Sequence, residues 1–295
     1  MPILVTGSTG TIGSQVLQSL SASGADVRAL TRSPETAHLP PGVRAVQGDL
    51  ADPDSMREAL AGVSTLFLLA ANVADEMTQA MQALAVARDT SIKGVVYLSV
   101  LKAAEFTDVP HFASKRAVEL MAEAANLPVT ILRPAYFIQN DMSQRDPLQK
   151  FNTYGMPIGS KGVSMVDTRD IGEAAARELI RREKAPGPLP RELYALVGPD
   201  RLTGASIADI WSEALGRKIQ YGGDDLHAME ERLKSMMPAW HALDLRLMVG
   251  RYQSDGAYAT AQDIARLTTL LGHAPRSYRD FARATAKEWA SGAAP

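Results

Sequence analysis

The chain has no cysteine. That absence excludes disulfides, thiolate nucleophiles and zinc–thiolate sites. It also has no charge surplus: 31 Lys and Arg against 33 Asp and Glu leave a formal net charge of −2. No basic run stands out, so there is no electrostatic footprint for nucleic acid. No apolar stretch reaches the roughly 20 residues that span a bilayer. The first residues already read as a strand, with no basic segment ahead of an apolar one, so no secretory leader is expected. The histidines (His38, His111, His227, His241 and His273) are scattered, and no pair has metal-ligand spacing on one helix. Internal repeats and low-complexity segments are also missing. The expectation is a soluble, cytoplasmic protein with no metal, nucleic-acid or membrane partner.

What is present starts at the N-terminus. Ile3-Leu4-Val5 is a short apolar strand, Thr6-Gly7-Ser8-Thr9-Gly10-Thr11-Ile12-Gly13 is a glycine turn, and an amphipathic run follows to Leu20. A strand that turns through glycines into a helix is a phosphate cradle. Glycines let the backbone approach, and the helix N-terminus offers free N–H groups and the positive end of its dipole. Glycines spaced three and three, rather than two and three, point away from ordinary dehydrogenases.

The remaining chain alternates strand and helix. Strands are expected at 26–31, 43–47, 65–70, 94–99 and 128–132. Helices are expected from Pro53 to Ala61 behind an Asp52 cap, over 76–90, and over 111–125. The run Thr65-Leu66-Phe67-Leu68-Leu69-Ala70 is continuously apolar, as when both sheet faces are covered. This is the pattern of a parallel, doubly wound α/β sheet. Past Pro134 the rhythm loosens, and 135–163 reads as loops around a site. A helix over 169–182 capped by Asp167 or Thr168, a strand over 192–197 and a helix over 206–215 follow. From Asp225 the chain is mostly helical, broken at Pro238 and around 250–256.

The end of the second strand tells which nucleotide fits. A site for NAD usually carries an acid there, to hold the ribose 2′-hydroxyl. Here stand Thr31, Arg32 and Ser33. Arg32 can pair with a 2′-phosphate, which favours NADP(H); otherwise it is a solvated loop charge. Asp49 and Leu50, after the third strand, either flank the adenine or cap a turn. Leu69, Ala70 and Ala71 are small and apolar enough to let a cofactor pass close to the sheet.

These residues resemble the atypical short-chain dehydrogenase/reductases, and more closely the NmrA-like family. The likeness rests on Val5 to Gly13, Val27-Arg28-Ala29-Leu30-Thr31-Arg32 and Gly48-Asp49-Leu50. It continues through Ser114-Lys115 with Glu119, and through Val129 to Pro134 running into Phe137 and Asn140. Val166-Asp167 with Asp170-Ile171, and Leu271-Gly272 before Pro275-Arg276, extend it to nearly the whole chain. The resemblance implies a Rossmann core over 1–134. It also implies a smaller, mostly helical substrate lobe over 135–295, interleaved with late core elements at roughly 164–198. NADP(H) would lie on Gly7, Thr9, Gly10, Thr11, Ile12, Gly13, Arg32, Asp49, Leu50, Leu69, Ala70, Ala71, Ser99, Lys115, Pro134, Tyr136 and Phe137. Members of the family include quinone and dye reductases, and also catalytically silent redox sensors.

The wider superfamily uses a Ser, a Tyr and a Lys four residues after the Tyr. This chain has Ser99 and Lys115, but His111 stands where the Tyr would be. Spacing of four puts His111 and Lys115 on one helix face. With Lys115 one turn away, the neutral ring is favoured, and it can still donate a hydrogen bond. Ordinary carbonyl reduction suffers from the missing Tyr. Reduction of a conjugated acceptor suffers less, because its product anion can take a proton from water. Such an acceptor wants an apolar slot, which Phe106, Phe112, Tyr136, Phe137 and Tyr154 could build unless they are packing residues. Met229, Met236 and Met237 are either lobe core or an adaptable lining for a flat ligand. The expected function is an NADPH-dependent reductase of a quinone-like or other conjugated, planar or aromatic small molecule. The alternative is an NADP(H)-binding sensor with little or no catalysis. Outer-face helices could also make a homodimer.

Overall fold

The computed structural model describes residues 1–90 and 92–291. In chain order its elements are β1 (Ile3–Val5), α1 (Thr11–Ala22), β2 (Val27–Thr31), β3 (Val43–Gln47), α2 (Pro53–Leu60), β4 (Thr65–Leu68) and α3 (Glu76–Asp89). Then come β5 (Gly94–Leu98), α4 (Pro110–Ala124), β6 (Val129–Pro134), α5 (Arg145–Phe151), β7 (Thr153–Tyr154) and α6 (Thr168–Lys184). The chain ends with β8 (Glu192–Leu196), α7 (Gly204–Leu215), β9 (Gln220–Tyr221), α8 (Leu226–Lys234), α9 (Ala239–Ser254), α10 (Ala261–Leu271) and α11 (Tyr278–Ala290).

Seven strands form one parallel sheet in the order β3-β2-β1-β4-β5-β6-β8. The doubly wound α/β reading is borne out. β1, β4 and β5 are buried along their whole length, which explains their unbroken apolar runs. On one face, Ile12, Val16, Leu17 and Leu20 of α1 pack with Ile171, Ala174, Ala175 and Leu179 of α6, and α10 closes that layer with Leu267 and Leu271. On the other face, α2, α3 and α4 bury Met56, Leu60, Ala83, Leu84, Val118 and Ala122. A third cluster builds the C-terminal lobe around Trp211, Tyr252, Phe281 and Trp289, with the two indoles stacked at 5.2 Å.

Local signals set the helix starts. Asp52 accepts the Asp54 N–H at 3.0 Å, with Pro53 at the first helical position. Asp167 accepts the Arg169 N–H at 2.9 Å and starts α6. Such caps contribute about 1 kcal/mol each.

One stretch differs from the sequence reading. The stretch 135–163 is not merely loops. It holds a 3₁₀ helix (Ile138–Gln144), α5 and β7, because Ile138, Leu148 and Tyr154 anchor it in the lobe core. The expected break around 250–256 falls at the far end of that span, at Gly256, whose φ is +76°. α9 runs through Gly250 because Met248, Val249 and Tyr252 bury its flank, which outweighs the roughly 1 kcal/mol that an interior glycine costs. Among the described residues, no helix is long and apolar enough to cross a membrane.

Candidate active site

At the carboxyl ends of β1, β2, β4, β5 and β6 lies a cavity of about 1540 Å³. Its position is the crevice where doubly wound sheets hold ligands. A drug-sized ligand fills roughly 300–1,000 Å³, so this space can take a dinucleotide and a second molecule.

The glycine turn forms its floor at one end. Gly7 has φ +60°, a left-handed conformation that glycine adopts without strain. Gly10 is the N-cap residue of α1 and has no side chain to satisfy the helix end, so the first N–H groups of α1 are left for an anion. Gly13 is different. It is absent from the cavity lining, and its contacts are with the turn itself. A Cβ there would overlap the Gly7 carbonyl oxygen and lie 2.7 Å from its carbon and 2.8 Å from Ser8 Cα. Gly13 therefore lets α1 start directly beneath the turn. All the other expected cofactor contacts line the cavity: Gly7, Thr9, Gly10, Thr11, Ile12, Arg32, Asp49, Leu50, Leu69, Ala70, Ala71, Ser99, Lys115, Pro134, Tyr136 and Phe137.

Arg32 sits at the end of β2 beside Ser33, Thr36 and Ala37, and among the described residues no carboxylate pairs with it. A free guanidinium at this place fits a 2′-phosphate. Asp49 is committed in part to its turn, since its Oδ1 accepts the Ala51 N–H at 3.0 Å. Uncapped N–H groups, a glycine floor and an unpaired cation together fit a phosphorylated dinucleotide.

The expected catalytic residues meet further along the cavity, with partners the sequence did not announce. Lys115 Nζ donates to Glu76 Oε1 at 2.6 Å and to the Leu98 carbonyl at 3.3 Å. Its charge is therefore met by a carboxylate of α3 instead of bearing on the imidazole. His111 lies against Asp244 of α9. Its backbone N–H donates to Asp244 Oδ1 at 3.0 Å, and its Nδ1 touches Oδ2. Asp244 is buried, with 2% of its side chain exposed. It joins the lobe to the start of α4, and leaves Nε2 as the imidazole nitrogen available to the cavity.

Ser99 lines the cavity, but its hydroxyl donates to Glu119 Oε1 at 2.6 Å. Its one proton is thus committed to Glu119. Glu119 is also held by Arg133, at 2.8 and 2.6 Å, and by Arg116 at 2.9 Å. Burial opposes its ionisation, yet the Arg133 and Ser99 hydrogen bonds and the Arg133 charge outweigh it. The Glu119 carboxyl sits below its ordinary range.

The slot is built differently from the expectation. Tyr136 and Phe137 line it, but Phe106, Phe112 and Tyr154 do not. Phe106 and Phe112 stack at 5.8 Å inside the lobe core, and Tyr154 donates to buried Asp141 at 2.9 Å. In their place, methionines roof the chamber: Met156, Met229, Met236, Met237 and Met248. His241, also in the roof, meets Asn72 at 3.1 Å across the cavity mouth. Outside the site, Asp170 and Glu173 both bind Arg276, and His273 meets Glu173 at 2.7 Å.

Comparison with known proteins agrees with this anatomy. The NmrA-like family model matches residues 1–280. An NAD(P)H azoreductase from Xenophilus azovorans is 28% identical over 287 residues, covering 96% of this chain and 98% of that protein. The solved NADPH complex of an NADPH-dependent quinone oxidoreductase from Escherichia coli superposes with a TM-score of 0.84 at 22% identity, covering 96% of this chain and 99% of that one. The negative transcriptional regulator NmrA, solved with NADP, superposes with a TM-score of 0.78 at 18% identity, covering 99% and 98%.

Proposed function

The chain belongs to the NmrA-like family, and on that footing we propose that it is an NADPH-dependent reductase that passes hydride to a flat, conjugated acceptor such as a quinone or an azo dye. One observation carries this reading: a single cavity joins the phosphate cradle at α1 to a methionine-roofed chamber, with His111 at the junction. The cofactor is NADP(H). The α1 N-terminus would hold its pyrophosphate and Arg32 its 2′-phosphate. Asp49 and Leu50 would face the adenine, while Lys115, Pro134, Tyr136 and Phe137 would border the reactive end. When bound, NADPH supplies the hydride.

The chain's own residues do the rest. The methionines adapt to a flat apolar body and exclude water from it. His111, kept in place by Asp244, presents Nε2 to the acceptor atom that gains electron density. In its protonated form it donates there, which supplies the proton that the missing Tyr would have given. Lys115, neutralised by Glu76, adds shape and hydrogen bonding more than net charge. The test is anaerobic mixing of the NADPH-loaded protein with a panel of quinones, azo dyes and enones. Oxidation of NADPH by members of the panel is expected, and silence across all of it overturns the reading.

A second reading is an NADP(H)-binding regulator with little catalysis. Two features favour it: the Ser99 and Lys115 side chains already have internal partners. Tight NADPH binding with no turnover, and a partner protein recovered on the loaded form, would be its signature.

A further inference from the structure

α8 turns Met229, Arg232 and Leu233 into the cavity, and Met236, in the turn just past the helix end, joins them. Three of these four positions are apolar. The fourth is a guanidinium. The helix's other charges are met: Glu230 by Arg246 of α9 at 2.7 Å and by Lys234 at 3.2 Å, and Glu231 by Lys234 at 2.7 Å. Arg232 has no such partner among the described residues. The cavity offers it none either. Its only lining carboxylates among the described residues are Asp49, beyond β3, and Glu76, which Lys115 occupies. Met236 is 66% exposed and Arg232 is exposed as well, so this face stands at the mouth of the chamber.

An unpaired cation on an apolar stripe is a specificity element. It rewards a ligand whose flat body lies on methionines and whose edge carries negative charge. We propose that the acceptor bears an anionic substituent, a sulfonate, carboxylate or phosphate, that docks on Arg232. This inference rests on the reductase reading for the word acceptor, but the anion subsite itself does not need turnover. Arg32 already supplies the cation at the adenosine end, so Arg232 is assigned to the second molecule and not to the cofactor.

The experiment is equilibrium binding to the NADPH-saturated protein of two fluorescent probes with one ring system. These are 1-anilinonaphthalene-8-sulfonate and its uncharged parent, N-phenyl-1-naphthylamine. Arg232→Gln is expected to weaken the sulfonate probe by about threefold to tenfold, the range of a partly solvated charge-assisted contact, and the neutral probe by less than about twofold. Arg232→Lys should restore part of the difference, and added salt should shrink it. Equal loss of both probes, loss of neither, or weakened NADPH binding with probe selectivity intact would each overturn the proposal. If no acceptor is ever reduced, the reductase reading fails while the probe comparison still decides the anion subsite.

Discussion

Gly13→Ala is the substitution whose consequence follows most directly from geometry. The added methyl would overlap the Gly7 carbonyl oxygen and press on Gly7 C and Ser8 Cα. All three are backbone atoms of the turn, so no side chain can swing away. To restore ordinary contact, α1 would have to back off from the turn by about 1 Å or more. It cannot do so freely. On its other side α6 approaches at Gly172, where even a Cβ would lie 2.7 Å from the Gln15 backbone. α1 is therefore held between two glycines. Overpacking of this kind costs about 1–3 kcal/mol. Moving the helix N–H groups off the phosphates also weakens charge-assisted bonds worth about 1.5–3 kcal/mol each. The variant should lose several degrees of Tm, and NADPH affinity should fall about tenfold to a hundredfold, read by calorimetric titration. Gly10→Ala is the control. Its Cβ would stand 3.3 Å from the Gly7 oxygen, so Tm should change far less. A Gly13→Ala protein with wild-type Tm and NADPH affinity would refute the reasoning.

Arg32→Gln should weaken NADPH by about tenfold or more and leave NADH nearly unchanged, because only the 2′-phosphate contact is lost; paired titrations read the ratio. His111→Ala should lower kcat by about a hundredfold with NADPH affinity retained, within the range of general-acid contributions. Asp244→Asn keeps an acceptor for the His111 N–H but removes the carboxylate beside Nδ1, so its kcat loss should be smaller than that of His111→Ala, as steady-state kinetics would show. Asp141 gives a stability prediction with a definite sign. Burial, opposed by hydrogen bonds from Tyr278, Tyr154 and Tyr136, raises its pKa from 3.8 to about 6. The folded protein therefore holds this proton where the unfolded chain has lost it, and stability from this group falls as pH rises from about 4 to about 6. The full effect is on the order of 1–3 kcal/mol. Denaturant titrations of wild type and Asp141→Asn should differ in slope across that window, and parallel curves would contradict the assignment.

Sequence was most informative where local chemistry decides. The glycine turn, the Asp52 and Asp167 caps and the apolar strands act over a few residues, so their pattern is visible in one stretch of chain. Arg32 was legible for the same reason, since it directly ends a strand. The partners of the catalytic candidates were not. Glu76 reads as an ordinary helix start, and Asp244 lies 133 residues from His111 in a helical run with no motif. Only the folded lobe brings Asp244 to α4. The partner of Ser99 was not legible either, because Glu119, which accepts its hydroxyl proton, lies 20 residues on in α4. The aromatic slot failed for a simpler reason: large rings are as useful in a core as in a cavity, and Phe106, Phe112 and Tyr154 pack the lobe. The methionines in and just after α8 were visible as spacing, but whether they faced a core or a chamber depended on the fold.

The central claim is that hydride leaves NADPH for a conjugated acceptor inside this cavity. A single-turnover reaction tests it most directly. The NADPH-loaded protein is mixed anaerobically with an azo dye or quinone, and cofactor absorbance is followed with ordinary NADPH and with NADPH deuterated at the transferring position. The account predicts oxidation matched mole for mole by acceptor reduction, slowed by deuterium. Cofactor that stays bound and unoxidised before every acceptor would contradict it.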